Sequence, residues 1–185
     1  SAATVQLGHF YGLPVNVYGL STNSHVLDVQ NGYERALNAV IPALAGADEL
    51  SGVGEMEAGV VGSYAQMVCD DEIVAGVRRL LRGFSCDADS LAVEMIAAAM
   101  DGPRNFLAER HTALRLRSGE LLLTRLAERA SWESWEKNGR ENMAERAQAQ
   151  AERILAEYEV PPLSEEQERY LDGVMKEAER VLTSD

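Results

Sequence analysis

The segment that decides the fold reads PVNVYGLSTNS, residues 14–24. Its first part, Val15–Tyr18, is short and rich in β-branched residues, which is typical of a buried strand. The polar run Gly19–Ser24 follows at once and predicts a loop. Tyr18 therefore stands where a strand ends, and that is the face on which barrel enzymes carry their active sites.

Helices are predicted on both sides of this segment. The apolar spacing over Ala3–Tyr11 indicates a helix that Pro14 ends. Asp28 is placed to cap a second helix, which Gly46 closes. Pro42 is expected to kink that helix or to end it early.

The same order of strand, loop and helix recurs further along the chain. A strand is predicted at Leu50–Val53, then a glycine-rich loop at Gly54–Gly59, then a helix that begins near Ala58. Asp70 and Asp71 are placed to cap a further helix.

A third strand is predicted at Asn105–Leu107, after an alanine-rich helix over Asp87–Met100. From Thr112 onward the chain is predicted to be helical, with a capping box at Ser164 and Gln167. Three such cycles imply parallel strands with right-handed crossovers, which is typical of a doubly wound sheet or a stretch of (β/α) barrel. Periodicity does not choose between the two.

Composition narrows the class of function. The chain has 185 residues, 46% hydrophobic content and a net charge of -13, with no basic stripe, so a nucleic-acid partner is disfavoured. No apolar run reaches the roughly 20 residues of a membrane span, and no signal peptide begins the chain, so a cytoplasmic protein is expected. Cys69 and Cys86 have no metal-ligand spacing and are expected to be reduced.

Several residues could carry chemistry. Glu55 and Glu57 place two carboxylates after the second strand, although acids at that point are also typical of a helix start. His111 beside Glu109 could form an acid–base pair, or His111 could be a surface histidine. No histidine stands at a zinc-ligand spacing, so a metal bound by the protein is not expected.

A set of segments resembles one known family when taken in order. The segments are Tyr11–Pro14, Gly19–Ser24, Glu57–Gly59, Cys69–Ile73, Asn105–Leu107 with His111–Thr112, and Arg117–Glu120. Each segment alone is weak evidence for a family, but the ordered set resembles the C-terminal third of the trimethylamine methyltransferase family.

The resemblance implies the C-terminal part of a (β/α)8 barrel of TIM type, helix-rich, with about three short parallel strands and extra C-terminal helices. A partial barrel would span residues 1–130, and a helical extension residues 131–185. It further implies that the barrel holds a methylated amine over a corrinoid (cobalamin), which a separate carrier protein binds. This chain itself is not expected to bind a cofactor tightly.

The loop Gly19–Ser24 looks like the region that carries pyrrolysine in archaeal members, with Leu20 at the matching position. Leucine there removes the imine chemistry, so a quaternary amine such as glycine betaine is favoured over trimethylamine. The resemblance and the loop positions together make the candidates for substrate contact Tyr18, Leu20, Asn23, Glu55, Glu57, Glu109 and His111.

Family members are considerably longer, so the resemblance implies a fragment that lacks the other barrel strands, associates with itself and is inactive alone. Two other functions remain open. One is a non-catalytic helical module that binds a partner through its acidic C-terminal helices. The other is a different barrel enzyme, in which His111 and Glu109 perform acid–base chemistry.

Overall fold

The structure is a computed structural model that describes residues 1–183. Its helices are α1 (Ala2–Phe10), α2 (Val29–Leu44), α3 (Tyr64–Arg82), α4 (Ala88–Leu91), α5 (Val93–Asp101), α6 (Arg110–Arg117), α7 (Trp132–Lys137), α8 (Met143–Glu157) and α9 (Glu165–Leu182). Its strands are β1 (Asn16–Val17), β2 (Glu49–Leu50), β3 (Glu55–Met56) and β4 (Val61–Gly62). The chain is therefore helix-rich, with few and short strands.

The contacts divide the chain into two compact units, Ser1–Glu152 and the residues from Arg153 onward. The predicted division of the chain between residues 130 and 131 stays a prediction, as does self-association. Among residues 1–183, no helix combines the length and the apolar character that crossing a membrane requires.

β1 and β2 form a parallel pair, with α2 as the connection between them. Asn16 stands opposite Glu49, and Val17 opposite Leu50. Val15 and Val17 are buried against Val5 of α1, because alternate residues of a strand face the same side. This part of the α/β prediction is confirmed.

The prediction of three parallel strands is wrong for the part of the chain that the structure describes. Asn105–Leu107 does not join a sheet, because the Asn105 side chain accepts a hydrogen bond from the Leu107 N–H at 3.2 Å and a 3-10 turn follows at Phe106–Ala108. The remaining strands, β3 and β4, pair antiparallel as a small hairpin. The described residues therefore hold one parallel pair.

α2 begins as predicted. The Asp28 carboxylate accepts a hydrogen bond from the Asn31 N–H at 2.9 Å and so caps the helix. The helix continues for two residues past Pro42, which is buried, and ends at Leu44. Proline is tolerated this close to the C-terminal end, because only one hydrogen bond of the last turns is lost.

α3 begins at neither predicted position. The hairpin β3–β4 occupies the region around Ala58, so the helix starts six residues later, after Ser63, whose hydroxyl accepts from the Gln66 N–H at 3.2 Å. Asp70 is not a cap, since it lies inside α3 and is fully buried. The helix ends at Arg82, and Gly83 follows it as the C-cap.

The core between the parallel pair and its helices is small and aliphatic. Leu20 packs against Ala39 and Ala43 of α2 and against Val77 of α3. Burial of one such leucine contributes about 1.5–3 kcal/mol. This packing fixes α2 and α3 behind the strand ends, where the loops that carry the candidate residues begin.

The last described helix also begins as predicted. In α9 the Ser164 hydroxyl accepts from the Gln167 N–H, and the Gln167 side chain accepts from the Ser164 N–H at 2.9 Å. This reciprocal capping box satisfies two backbone donors that a helix start leaves free.

Candidate functional site at the ends of the parallel strands

Two loops meet beyond the carboxyl ends of β1 and β2. The Leu20 N–H donates to the Ser51 carbonyl at 2.9 Å, which continues the pairing of the strands. Further on, the Ala58 N–H donates to the Thr22 carbonyl at 2.9 Å, and the Glu57 N–H donates to the Ser24 carbonyl at 3.2 Å. The loop after β1 and the turn after β3 are thus one hydrogen-bonded surface.

Tyr18 and Glu55 come together on this surface at Gly59. A methyl group built on Gly59 would lie 2.6 Å from the Tyr18 hydroxyl and 3.2 Å from Oε2 of Glu55. Gly59 has a φ of +91°, a backbone conformation that favours glycine. The Tyr18 hydroxyl and Oε2 of Glu55 can therefore both approach this position because residue 59 carries no side chain.

Oε2 of Glu55 has an unusual environment. Across residues 1–183 it is the one buried side-chain oxygen or nitrogen without a hydrogen-bond partner. Buried polar atoms in proteins are nearly always satisfied, so an exception calls for an explanation, such as a group that binds there. Tyr18, whose hydroxyl approaches the same position at Gly59, is 43% exposed.

Glu57 lies next to this pair, on the turn that follows β3. Its carboxylate is 3.8 Å from Nδ1 of His25; the Glu57 side chain is 43% exposed and the His25 side chain 72%. Glu57 and Ala58 both have positive φ, so the turn holds two non-glycine residues in a strained conformation. The site therefore carries a second, more exposed carboxylate.

Asn23 and Leu20 lie on the same loop, but their contacts differ. The Asn23 N–H donates to Oε2 of Glu34 at 2.9 Å, and the Thr22 hydroxyl donates to the same oxygen at 2.6 Å. These hydrogen bonds lower the pKa of the Glu34 carboxyl, the Thr22 hydroxyl having the largest effect. The Leu20 side chain, with 0% exposure, points into the core behind the loop. It offers no surface to a substrate in this structure.

Glu109 and His111 are placed elsewhere. Glu109 precedes α6, and His111 lies in the first turn of that helix, not after a strand. Within residues 1–183 no hydrogen bond or ion pair joins Glu109 to His111; Nε2 of His111 lies 3.4 Å from Nε of Arg115. His111 lines a separate cavity of about 600 Å³ with residues 88, 89 and 91–95. The structure does not bring these two residues to the Tyr18–Glu55 surface.

A buried ion pair behind the loops is absent from the sequence-based candidates. Nη1 of Arg35 lies 2.8 Å from Oδ2 of Asp70, and both side chains are fully buried. Burial has the largest effect on both groups: it lowers the pKa of Arg35 and raises the pKa of Asp70, while their mutual attraction opposes both shifts. One signal was available, since Asp70 stands three and seven residues before Ile73 and Val77, on the inward face of α3.

The sequence matches proteins of known kind over almost its whole length. The profile of the family described as "Trimethylamine methyltransferase (MTTB)" matches residues 1–181. The chain belongs to the trimethylamine methyltransferase family. Trimethylamine methyltransferase MttB2 of Methanosarcina mazei is 31% identical over 182 residues, which are 97% of this chain and 36% of that protein.

Two bacterial relatives extend the comparison. Trimethylamine methyltransferase MttB of Desulfitobacterium hafniense is 31% identical over 179 residues, 97% of this chain and 36% of the relative. Glycine betaine methyltransferase, also of Desulfitobacterium hafniense, is 30% identical over 166 residues, 89% of this chain and 34% of the relative. The chain thus spans about a third of the length of the curated relatives that it matches.

Proposed function

We propose that this chain forms part of the active site of a methyltransferase, in which a quaternary or tertiary amine donates a methyl group to a corrinoid protein. The observation that carries the proposal is the unpaired, buried carboxylate oxygen of Glu55 beside the Tyr18 ring. Membership of the trimethylamine methyltransferase family supports the reaction class.

The chemistry of a methylated ammonium group fits this arrangement. A quaternary ammonium has no N–H to donate, so a protein binds it through negative charge and aromatic faces rather than through hydrogen bonds. A tyrosine face within reach of such a cation contributes about 0.5–1 kcal/mol at an exposed site and about 2 kcal/mol when desolvated. Glu55 and Glu57 supply the negative charge, and Tyr18 supplies the aromatic face.

Glycine betaine is the substrate that we propose first. Leu20 occupies the position that resembles the pyrrolysine site of archaeal relatives, and its side chain is buried in the core. A fixed positive charge already activates a quaternary amine as a methyl donor, so no adduct with the protein is required. The corrinoid acceptor, bound by a separate protein, supplies the nucleophile when the two proteins meet, and we assign no residue of this chain to its binding.

The test uses the naturally occurring polypeptide that contains these residues, with glycine betaine as donor and free cob(I)alamin as acceptor. Methylation of the cobalamin is followed by its absorbance. We expect Glu55→Gln to lower kcat/KM and Tyr18→Leu to raise KM about fivefold, while Tyr18→Phe, which keeps the ring, stays close to wild type. If neither glycine betaine nor trimethylamine donates a methyl group, the proposal is wrong.

Neither alternative function has an observation of this strength. Acid–base catalysis by His111 and Glu109 lacks a contact between the two side chains. A helical binding module leaves the unpaired Glu55 oxygen without an explanation. The methyltransferase is therefore the one function that we propose.

A further inference from the structure

The buried pair of Arg35 and Asp70 contacts both loops of the amine site from behind. Nη1 of Arg35 donates to the Leu20 carbonyl at 2.6 Å, and its Nη2 donates to the Glu55 carbonyl. Oδ2 of Asp70 accepts from the Gly54 N–H at 2.7 Å. Three backbone groups, one on the first loop and two around β3, are thus held by one ion pair.

Two amides fix the orientation of the pair. Nε2 of Gln66 donates to Oδ1 of Asp70 at 2.8 Å, and Nε of Arg35 donates to Oδ1 of Asn31 at 3.1 Å. Asn31 in turn donates to Oε1 of Gln66 at 2.9 Å, which closes the network. All four side chains are buried, so neither charged group can turn away from the backbone groups that it binds.

A gain in stability does not by itself explain this network. Desolvation of two buried charges offsets much of their attraction, and apolar residues of similar size in their place are often at least as stable. What apolar residues cannot supply is donors and acceptors for the backbone of two loops. The network therefore contributes geometry that an apolar core would lack.

We propose that Arg35 and Asp70 are positioning residues for amine binding. By holding the backbone at Leu20 and Glu55 they keep the Tyr18 ring and the Glu55 carboxylate together at the open position of Gly59. The part of this inference that concerns amines rests on the proposed function. The part that concerns the loops stands on the hydrogen bonds alone.

The first experiment measures the loops without any substrate. The double variant Arg35→Met with Asp70→Leu removes both charges, so it leaves no unpaired charge in the core and is expected to fold. Hydrogen–deuterium exchange is then read at the amides of Gly54, Glu57 and Ala58. We expect exchange about ten- to a hundredfold faster than in wild type, the loss that corresponds to hydrogen bonds with charged groups.

The matched control is a second ion pair that involves α3. Nη2 of Arg79 lies 2.7 Å from Oε1 of Glu120, and neither residue binds the two loops in the described structure. The double variant Arg79→Met with Glu120→Leu should leave exchange at the three loop amides unchanged. Unchanged exchange in the Arg35 and Asp70 variant, or an equal increase in the control, overturns the inference.

The second experiment measures methyl transfer from glycine betaine in the naturally occurring polypeptide. Arg35→Lys keeps a positive charge but cannot bind two carbonyls and a carboxylate with the geometry of a guanidinium. We expect a raised KM with secondary structure by circular dichroism unchanged. A wild-type KM in both Arg35 variants overturns the inference. If the wild-type protein transfers no methyl group, the proposed function fails, and the exchange experiment still decides whether the pair holds the loops.

Discussion

Replacement of Gly59 by alanine should close the proposed amine site with a small side chain. The added Cβ would lie 2.6 Å from the Tyr18 hydroxyl, whereas ordinary contact begins at 3.4 Å, so one of the two atoms must move. The hydroxyl is the far end of a side chain that can rotate, and rotation separates the ring from Glu55. We therefore expect binding to be lost before the fold is lost.

The magnitude has two separate parts. Any residue with a Cβ in the left-handed region costs about 1–2 kcal/mol, and Gly59 has a φ of +91°. Loss of the Tyr18 face from a bound ammonium costs about 1 kcal/mol, which weakens binding about fivefold. The first part lowers the free energy of unfolding, and the second raises the dissociation constant.

Gly139→Ala is the control that separates the two parts. Gly139 has a φ of +100°, and a Cβ there meets no atom within 4 Å. Unfolding in urea should show a similar loss of stability for both variants, and titration calorimetry with glycine betaine should show weaker binding for Gly59→Ala alone. Wild-type affinity in Gly59→Ala, or equal weakening in Gly139→Ala, would refute the assignment of this site.

Three further variants test the loop and the helices around the parallel strands. Glu34→Gln should loosen the first loop, because the Thr22 hydroxyl donates to the Glu34 carboxylate at 2.6 Å. Hydrogen bonds from Thr22 and Asn23 lower the pKa of Glu34 in the folded protein, so the stabilisation by this carboxylate is complete above the unfolded pKa of about 4.3 and is lost as the pH falls through the lowered pKa. Acid unfolding should therefore depend less on pH in the variant than in the wild type. Gly8→Ala should lower the free energy of unfolding by about 1–3 kcal/mol, because the new Cβ would lie 2.2 Å from Cγ2 of Val15. Gly32→Ala should instead raise the free energy of unfolding by up to about 1 kcal/mol, because a Cβ there meets open space on α2. Both variants are measured by unfolding in urea. A Gly8→Ala protein as stable as Gly32→Ala would contradict the packing of α1 on β1.

Local features of this fold were readable from the sequence. The cap at Asp28, the capping box of Ser164 and Gln167 and the strand within Val15–Tyr18 all form as predicted. Each depends on side chains and backbone groups only a few residues apart, so neighbouring residues are sufficient to determine it.

The wrong predictions came from segments with two local solutions. Asn105–Leu107 has the composition of a strand, but no partner strand lies beside it in the described residues, and the Asn105 side chain stabilises a turn instead. Asp70 is a good helix cap by type, yet it lies inside α3 and forms a buried ion pair with Arg35 of α2. In the first case a local side-chain hydrogen bond replaced the strand, and in the second a tertiary contact overrode the local preference for a cap.

The sequence by itself determined the family, the acidic charge, one parallel strand pair and the loop position of Tyr18, whereas Glu55, predicted in a loop, lies in strand β3. Only the tertiary structure decided that Tyr18 and Glu55 both reach Gly59, that Glu109 and His111 do not contact each other, and that Arg35 and Asp70 meet across 35 residues of chain. The physical reason is that local preferences act over a few residues, whereas the partner of a buried charge is set by how the helices pack.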